Sequence, residues 1–209
     1  MKTTAVILAA GGSRRLGFPK QLVRLDGVSL VRKVALTLCD AGIDKIGVVT
    51  GAWHNELEKE LFGLGIEVIH NENWKSGMSS SVACGAEWAS TVSGAERTIF
   101  LATDQWKLTS DDIIQLISEN EKDLADVVAA SYDGSWGMPL LVSCASLLSS
   151  MKVLGGGVSF TQFLEKSAKV MVVIPMEHAS NDLDTPAQLM ELSEKFDVTV
   201  LRPGVLEAI

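Results

Sequence analysis

Apolar residues recur along this chain in two rhythms: short unbroken runs, and stretches where they return at every third or fourth position. The first run, Ala5-Val-Ile-Leu-Ala-Ala10, is closed by Gly11 and Gly12 and reads as a central parallel strand covered on both faces. Leu30, Val31, Val34, Ala35 and Leu38 then follow at helical spacing, Gly42 stops that pattern, and Lys45–Thr50 is the next strand. The alternation continues with a helix over Trp53–Leu61, a strand Ile66–His70, a helix Ser79–Ala89 and a strand Thr98–Thr103. A helix Asp111–Ile117, with Ser110 as its N-cap, and a strand Asp126–Ser131 come next. Between Tyr132 and Phe160 the rhythm breaks at Gly134, Gly137, Pro139 and Gly155-Gly-Gly157, which predicts an excursion over the sheet's edge, suited to a lid. A last strand, Val170–Ile174, precedes Asn181-Asp-Leu-Asp-Thr-Pro186, whose Thr-Pro suits a helix start. The fold class is α/β, with a mostly parallel central sheet flanked by helices.

With 209 residues, the expectation is one domain over 1–209. Lys and Arg total 18 against 26 Asp and Glu, a net charge of -8 that repels a polyanion except where positive charge is locally concentrated, so extended nucleic acid is not expected as a partner. Cys39, Cys84 and Cys144 are too far apart for a metal knuckle or a disulfide framework, which fits a reducing cytoplasm. The run Ala5–Ala10 is too short for a signal peptide, and no apolar stretch approaches the ~20 residues that cross a bilayer, so a soluble protein with no membrane partner is expected.

Positive charge is concentrated at one place. Leu8-Ala9-Ala10-Gly11-Gly12-Ser13-Arg14-Arg15-Leu16-Gly17-Phe18-Pro19-Lys20 follows the first strand, at the carboxyl edge where open α/β sheets bind ligands. The glycine spacing is neither GxGxxG nor GxxxxGK[ST], which argues against a dinucleotide fold and a Walker-type ATPase. Glycines nonetheless let backbone N–H groups approach an anion, and Arg14, Arg15 and Lys20 add charge-assisted hydrogen bonds of roughly 1.5–3 kcal/mol each. The loop can hold a triphosphate; the bland alternative is a surface turn whose cations are merely solvated.

The loop resembles the signature of the nucleotidyltransferases related to the molybdopterin guanylyl- and cytidylyltransferases, L-A-[AG]-G-x-S-x-R-[ML]-G-x-x-K. Gly77-Met-Ser-Ser-Ser81, Asp104-Gln105, Gly137-Met-Pro139 and Asp182-Leu-Asp184-Thr-Pro186 follow in the order such proteins show, over nearly the whole chain. The resemblance implies a Rossmann-like nucleotidyltransferase fold of the glycosyltransferase-A type, with nucleotide contacts from Leu8, Ala9, Ala10, Gly11, Gly12, Ser13, Arg14, Arg15 and Lys20. Ser79 and Ser80 would add contacts to base, ribose or acceptor; a serine N-cap is nearly as good a reading.

Asp104 follows the strand Thr98–Thr103, and Asp182 and Asp184 lie far along the chain. A carboxylate from each segment, Asp104 and Asp184, suffices for Mg²⁺ or Mn²⁺ held jointly with phosphate oxygens, Asp182 being the weaker candidate; the alternative is a turn former and an ordinary helix start. The implied reaction is attack of an acceptor phosphate on the α-phosphorus of an NTP, with pyrophosphate leaving. A phosphate monoester, with its second pKa near ~6, needs no general base. Catalysis then falls to Arg14, Lys20 and Asp104 with the metal, and His54, His70 and His178 read as surface or packed residues. Met138 and the tryptophans read as packing, with Trp106 and Trp136 the exceptions to watch.

Within the resemblance, Ala10 and Pro19 stand where the cytidylyl branch has Ala and Pro and the guanylyl branch Gly and Asp, which favours CTP and a molybdopterin-type acceptor. Asp104-Gln-Trp106 replaces the usual Asp-Gln-Pro, and Gly155-Gly-Gly-Val-Ser159 replaces a segment with acidic and basic groups, which leaves room for another phosphorylated acceptor. The alternatives are a cytidylyl sugar-phosphate transferase, to which Pro19-Lys-Gln21 is also similar, a guanylyl transferase, and a non-catalytic delivery protein docking on a molybdoenzyme. A redox role ranks last, for want of GxGxxG.

Overall fold

The computed structural model describes residues 1–143, 151, 159–180, 183–196 and 199–204. Its main sheet has seven strands: β1 (Lys2–Leu8), β4 (Lys45–Thr50), β5 (Glu67–His70), β6 (Ala95–Ala102), β7 (Val127–Tyr132), β8 (Ser135–Val142) and β9 (Met171–Pro175). The order is β5-β4-β1-β6-β8-β7-β9, and β8 alone runs against the others. A small second sheet joins β2 (Arg24–Leu25), β3 (Val28–Ser29) and β10 (Val200–Leu201) in the order β10-β2-β3.

Helices α1 (Leu30–Asp40), α2 (His54–Leu61) and α4 (Ser110–Asp123) cover one face of the main sheet, where Val34, Leu38, Leu57 and Ile113 join one core. Helices α3 (Met78–Thr91) and α5 (Phe160–Ser167) cover the other, with Val82, Ala86, Phe100 and Leu164 in a second core. Successive β1 residues alternate between the two, Ala5 and Ile7 in the first and Val6 in the second, which is why that strand reads as an unbroken apolar run. A third cluster lies under the small sheet and joins Leu16, Leu25 and Trp106 to Leu189 and Leu192 of helix α6 (Pro186–Phe196).

The expected alternation holds for α1, α2, α3, β4 and β5, and the structure corrects four readings. β1 starts at Lys2 and β6 at Ala95, earlier than their apolar runs, and both end before the predicted limits. Their polar starts are hidden because they pair: Thr4 with Thr98, and buried Arg97 with Thr3 and Glu121. The N-cap of α4 is Thr109, whose side chain accepts from Asp112 N while Asp112 reaches back to the Thr109 N–H, so Ser110 is the first helical residue. The predicted excursion after Tyr132 begins instead as β8, inserted between β6 and β7. Pro139 fits there because the pairing jumps from Ala129↔Leu140 to Ala130↔Gly137, so the bulged Met138-Pro139 pair costs no ladder bond with β7. Gly155–Gly157, Asp182 and Cys144 lie outside the described residues.

Candidate active site

The described candidate residues of the loop, with Asp104 and Asp184, lie at the carboxyl edge of the parallel strands. After β1, Ser13 takes a left-handed conformation (φ 49°) and its carbonyl accepts from Leu16 N and Gly17 N, both at 3.1 Å. Gln21, 1% exposed, closes the loop from below: its Nε2 donates to Ala9 O at 2.9 Å and to Gly11 O at 2.8 Å. The Ser13 hydroxyl accepts from Lys20 N at 3.0 Å and donates to Gln21 Oε1 at 3.3 Å. Ala9 is buried, with its N–H on Val49 O. Ser13 and Ala9 therefore hold the loop's shape, while Leu8, Ala10, Gly11, Gly12, Arg14 and Lys20 line a cavity of about 430 Å³. Pro19 is buried as the N-cap of the turn Lys20–Leu22 and does not line this cavity.

The charged centre is compact. Lys20 Nζ lies 2.5 Å from Asp104 Oδ2 and 2.9 Å from Asp184 Oδ1, and Arg15 closes on the other oxygen of Asp184. Burial pushes the Lys20 pKa down, but Asp104 and then Asp184 outweigh it and hold the ammonium above its ordinary value. Burial likewise pushes the Asp184 carboxyl up, and Lys20 and Arg15 together bring it below its ordinary value. Two cations thus face two carboxylates. Arg14 makes no ion pair among the described residues and lines the cavity.

Each carboxylate has its own support. Asp104, buried at the end of β6, is followed by Gln105, whose amide accepts from Ala102 N and donates to the carbonyls of Met138 and Ala179. β6, β8 and the turn Glu177–Ser180 are thereby fixed around Asp104. Asp184 precedes a capping box: Thr185 Oγ1 accepts from Gln188 N at 3.3 Å, and Gln188 Oε1 accepts from Thr185 N at 2.8 Å and Asp184 N at 3.0 Å. Pro186 is then the first residue of α6, as the Thr-Pro pair predicts.

The serines divide. α3 starts at Met78 behind Gly77 (φ 103°), with no side-chain cap, so neither serine is its N-cap. Ser80 Oγ lies 3.0 Å from Asn73 O and 2.8 Å from Gly77 O and accepts from Asn71, which makes it part of the loop's frame. Ser79 lines a second cavity of about 480 Å³ with Tyr132, Gly137, Met138, Leu140 and Phe160. Ser81, the last serine of the Gly77–Ser81 motif, lines the first. The two cavities share Lys20, Met78, Ala102 and Asp104, so the charged centre stands between two binding spaces.

Trp106 is 9% exposed in the third core, with Lys107 Nζ 5.2 Å from its ring, and Trp136 packs on the second core. His54 stacks on His70, and His178 meets Asp112 at 2.9 Å, all outside both cavities. Among the described residues no group of three or more His, Cys, Asp or Glu can hold a metal; the two carboxylates that converge here, Asp104 and Asp184, both bind the Lys20 ammonium, so a hard cation held between them would have to displace Lys20 and complete its shell with phosphate oxygens and water. No described helix is long and apolar enough to cross a membrane.

The family profile of the MobA-like NTP transferase domain matches residues 5–170. A molybdenum cofactor guanylyltransferase of Rhodobacter capsulatus is 31% identical over 118 residues, 56% of this chain and 58% of that enzyme. A nicotine blue oxidoreductase of Paenarthrobacter nicotinovorans is 25% identical over 197 residues, 90% of this chain and 95% of that protein. Among solved structures, the manganese complex of Rv0371c from Mycobacterium tuberculosis superposes with a TM-score of 0.76 at 18% identity, covering 93% of this chain and 100% of that one.

Proposed function

This chain belongs to the MobA-like NTP transferase family, and we propose that it transfers CMP from CTP to a phosphorylated acceptor, of molybdopterin type, releasing pyrophosphate with Mg²⁺ or Mn²⁺ as cofactor. The observation that carries the reading is the placement of Lys20 and Asp104 in the wall shared by two cavities, with Asp184 bonded to Lys20 on the side of the second, an arrangement suited to transfer between two ligands. The glycine loop bounds the cavity assigned to the nucleotide, and Ala10 in its wall supports CTP over GTP; buried Pro19 acts only through the loop's shape.

Open backbone at Gly11 and the guanidinium of Arg14 receive the triphosphate, and Lys20 neutralises charge as the α-phosphorus is attacked. The acceptor phosphate is ionised at neutral pH and attacks without a general base, in keeping with the absence of histidine from the lining of both cavities. Asp104 and Asp184 would hold the divalent cation, which supplies charge neutralisation at the phosphates when bound. A cation is also present in the structural neighbour solved with manganese.

Pyrophosphate release from CTP and GTP, each with Mn²⁺ and a phosphorylated pterin, tests the reading. Release that needs both CTP and acceptor supports it; release with GTP alone moves the chain to the guanylyl branch. The relative named as an oxidoreductase favours a second reading, in which the same cavity holds a redox dinucleotide. Hydride transfer from NADH or NADPH to an added quinonoid dye, which is reduced as the nicotinamide is oxidised, in place of pyrophosphate release would establish that role instead.

A further inference from the structure

The glycines around the nucleotide cavity are of two kinds. A Cβ at Gly11 would meet nothing within 4 Å, so that backbone is open to a ligand. A Cβ at Gly12 would lie 3.3 Å from the six-membered ring of Trp74, and one at Gly51 would lie 2.6 Å from Trp74 Cβ and Cγ. Gly12 follows β1 and Gly51 follows β4, so the indole lies across the carboxyl ends of two adjacent strands. A side chain at either glycine would collide with Trp74, so both make room for the tryptophan.

The tryptophan is fixed in place. Trp74 N donates to Asn71 O at 3.2 Å, and the Asn71 side chain donates to the hydroxyls of Ser80 and Ser81, each at 3.0 Å. The residue is half-buried and lines the cavity together with Ala10 and Ser81, and Lys75 Nζ stands 5.7 Å from the ring centroid. Arg14, Lys20 and the open backbone of Gly11 are the partners of phosphate, whereas an indole offers a flat π surface suited to a base.

We propose that Trp74 is the nucleobase-binding residue of this site: the base stacks against its indole while the triphosphate runs along Gly11 toward Lys20. The inference rests on the reading of this cavity as the NTP site. Stacking tolerates every base, so Trp74 sets affinity for the nucleoside part, and choice between bases falls to the polar edge at Ser81 and to Ala10.

The test is calorimetric titration of wild type, W74F and W74L with CTP and with inorganic tripolyphosphate, both with Mn²⁺. The expected result is that W74L weakens CTP by about tenfold, leaves tripolyphosphate unchanged, and is largely rescued by W74F. Equal loss of both ligands reduces Trp74 to a prop for the loop, and loss of neither removes it from the site; either overturns the proposal. Absence of CTP binding to wild type sinks the assignment of the cavity itself, which is a separate result. If W74L does not fold, indole emission decides: CTP, and not tripolyphosphate, quenches wild type, and the quench disappears in W74F. The same quench in both proteins overturns the proposal.

Discussion

Gln21 donates both amide protons to loop carbonyls from a position 1% exposed, and its removal tests how much the loop depends on it. Gln21→Leu leaves Ala9 O buried without its donor, a loss of about 1–3 kcal/mol, and CTP affinity falls with it; unchanged melting and affinity would show that the loop holds itself. In the sequence Gln21 is one polar residue after a lysine, and nothing marks it as buried. Its role emerges only when the chain folds back under Gly11. Arg14 and Lys20 are legible as charge on a glycine loop in an acidic chain, and Asp104 and Asp184 are singled out only through the order of motifs in the family resemblance, since a lone Asp at a strand end or helix start is ordinarily a turn former or cap. The ion pairing of Arg15 with Asp184 is not legible, because those residues are 169 positions apart.

The same centre makes a pH prediction. The Asp184 pKa is lowered from 3.8, so its contribution to stability is complete above that value and is lost as pH falls through the lower folded one. The Lys20 pKa is raised from 10.5, so its contribution is complete below that value and is lost as pH rises through the higher folded one. Between these limits the pair adds no slope. Thermal melts of Asp184→Asn should therefore show a shallower acid limb than wild type, with no added slope near neutrality. Identical acid limbs would mean that the ion pairs contribute nothing to folding.

At the scale of elements, α3 places Met78 at its start against both cavities. The helix packs closely on β1 at Gly85, where a Cβ would lie 2.5 Å from Val6 Cγ1 and 3.3 Å from Val49 Cγ2. Gly85→Ala is expected to cost about 1–3 kcal/mol in melting and to raise KM for the nucleotide as the helix start moves; a melt equal to wild type would show that α3 shifts freely. Periodicity made α1 legible, since the five residues at helical spacing, Leu30, Val31, Val34, Ala35 and Leu38, are all buried while Leu36, off that stripe, is exposed, and the apolar run placed β4 residue for residue. β8 was hidden by Pro139 and Gly137, which read as breakers because the bulge that accommodates them exists only in the paired sheet. The two-residue strands β2, β3 and β10 are too short to carry any period.

For the whole molecule, the sheet order brings the ends of β1, β4 and β6 side by side and so assembles one site from segments spread over the chain. The alternation of strands and helices made this architecture legible, whereas the division of the carboxyl edge into two cavities depends on side chains from β8 and α5, which the sequence reading assigned to an excursion. Against a net charge of -8, Arg14, Arg15 and Lys20 form a local concentration of cations, of which Arg15 and Lys20 are paired with Asp184 and Asp104. On the proposed function this edge binds a nucleoside triphosphate together with a divalent metal. Thermal melting with CTP and Mn²⁺ at about 100 times the dissociation constant should stabilise the fold by about 2.7 kcal/mol, roughly 5–10 °C for a chain of this size, with the shift lost in Lys20→Ala and Asp104→Ala. A wild type that melts at the same temperature with and without every nucleotide and metal would contradict it.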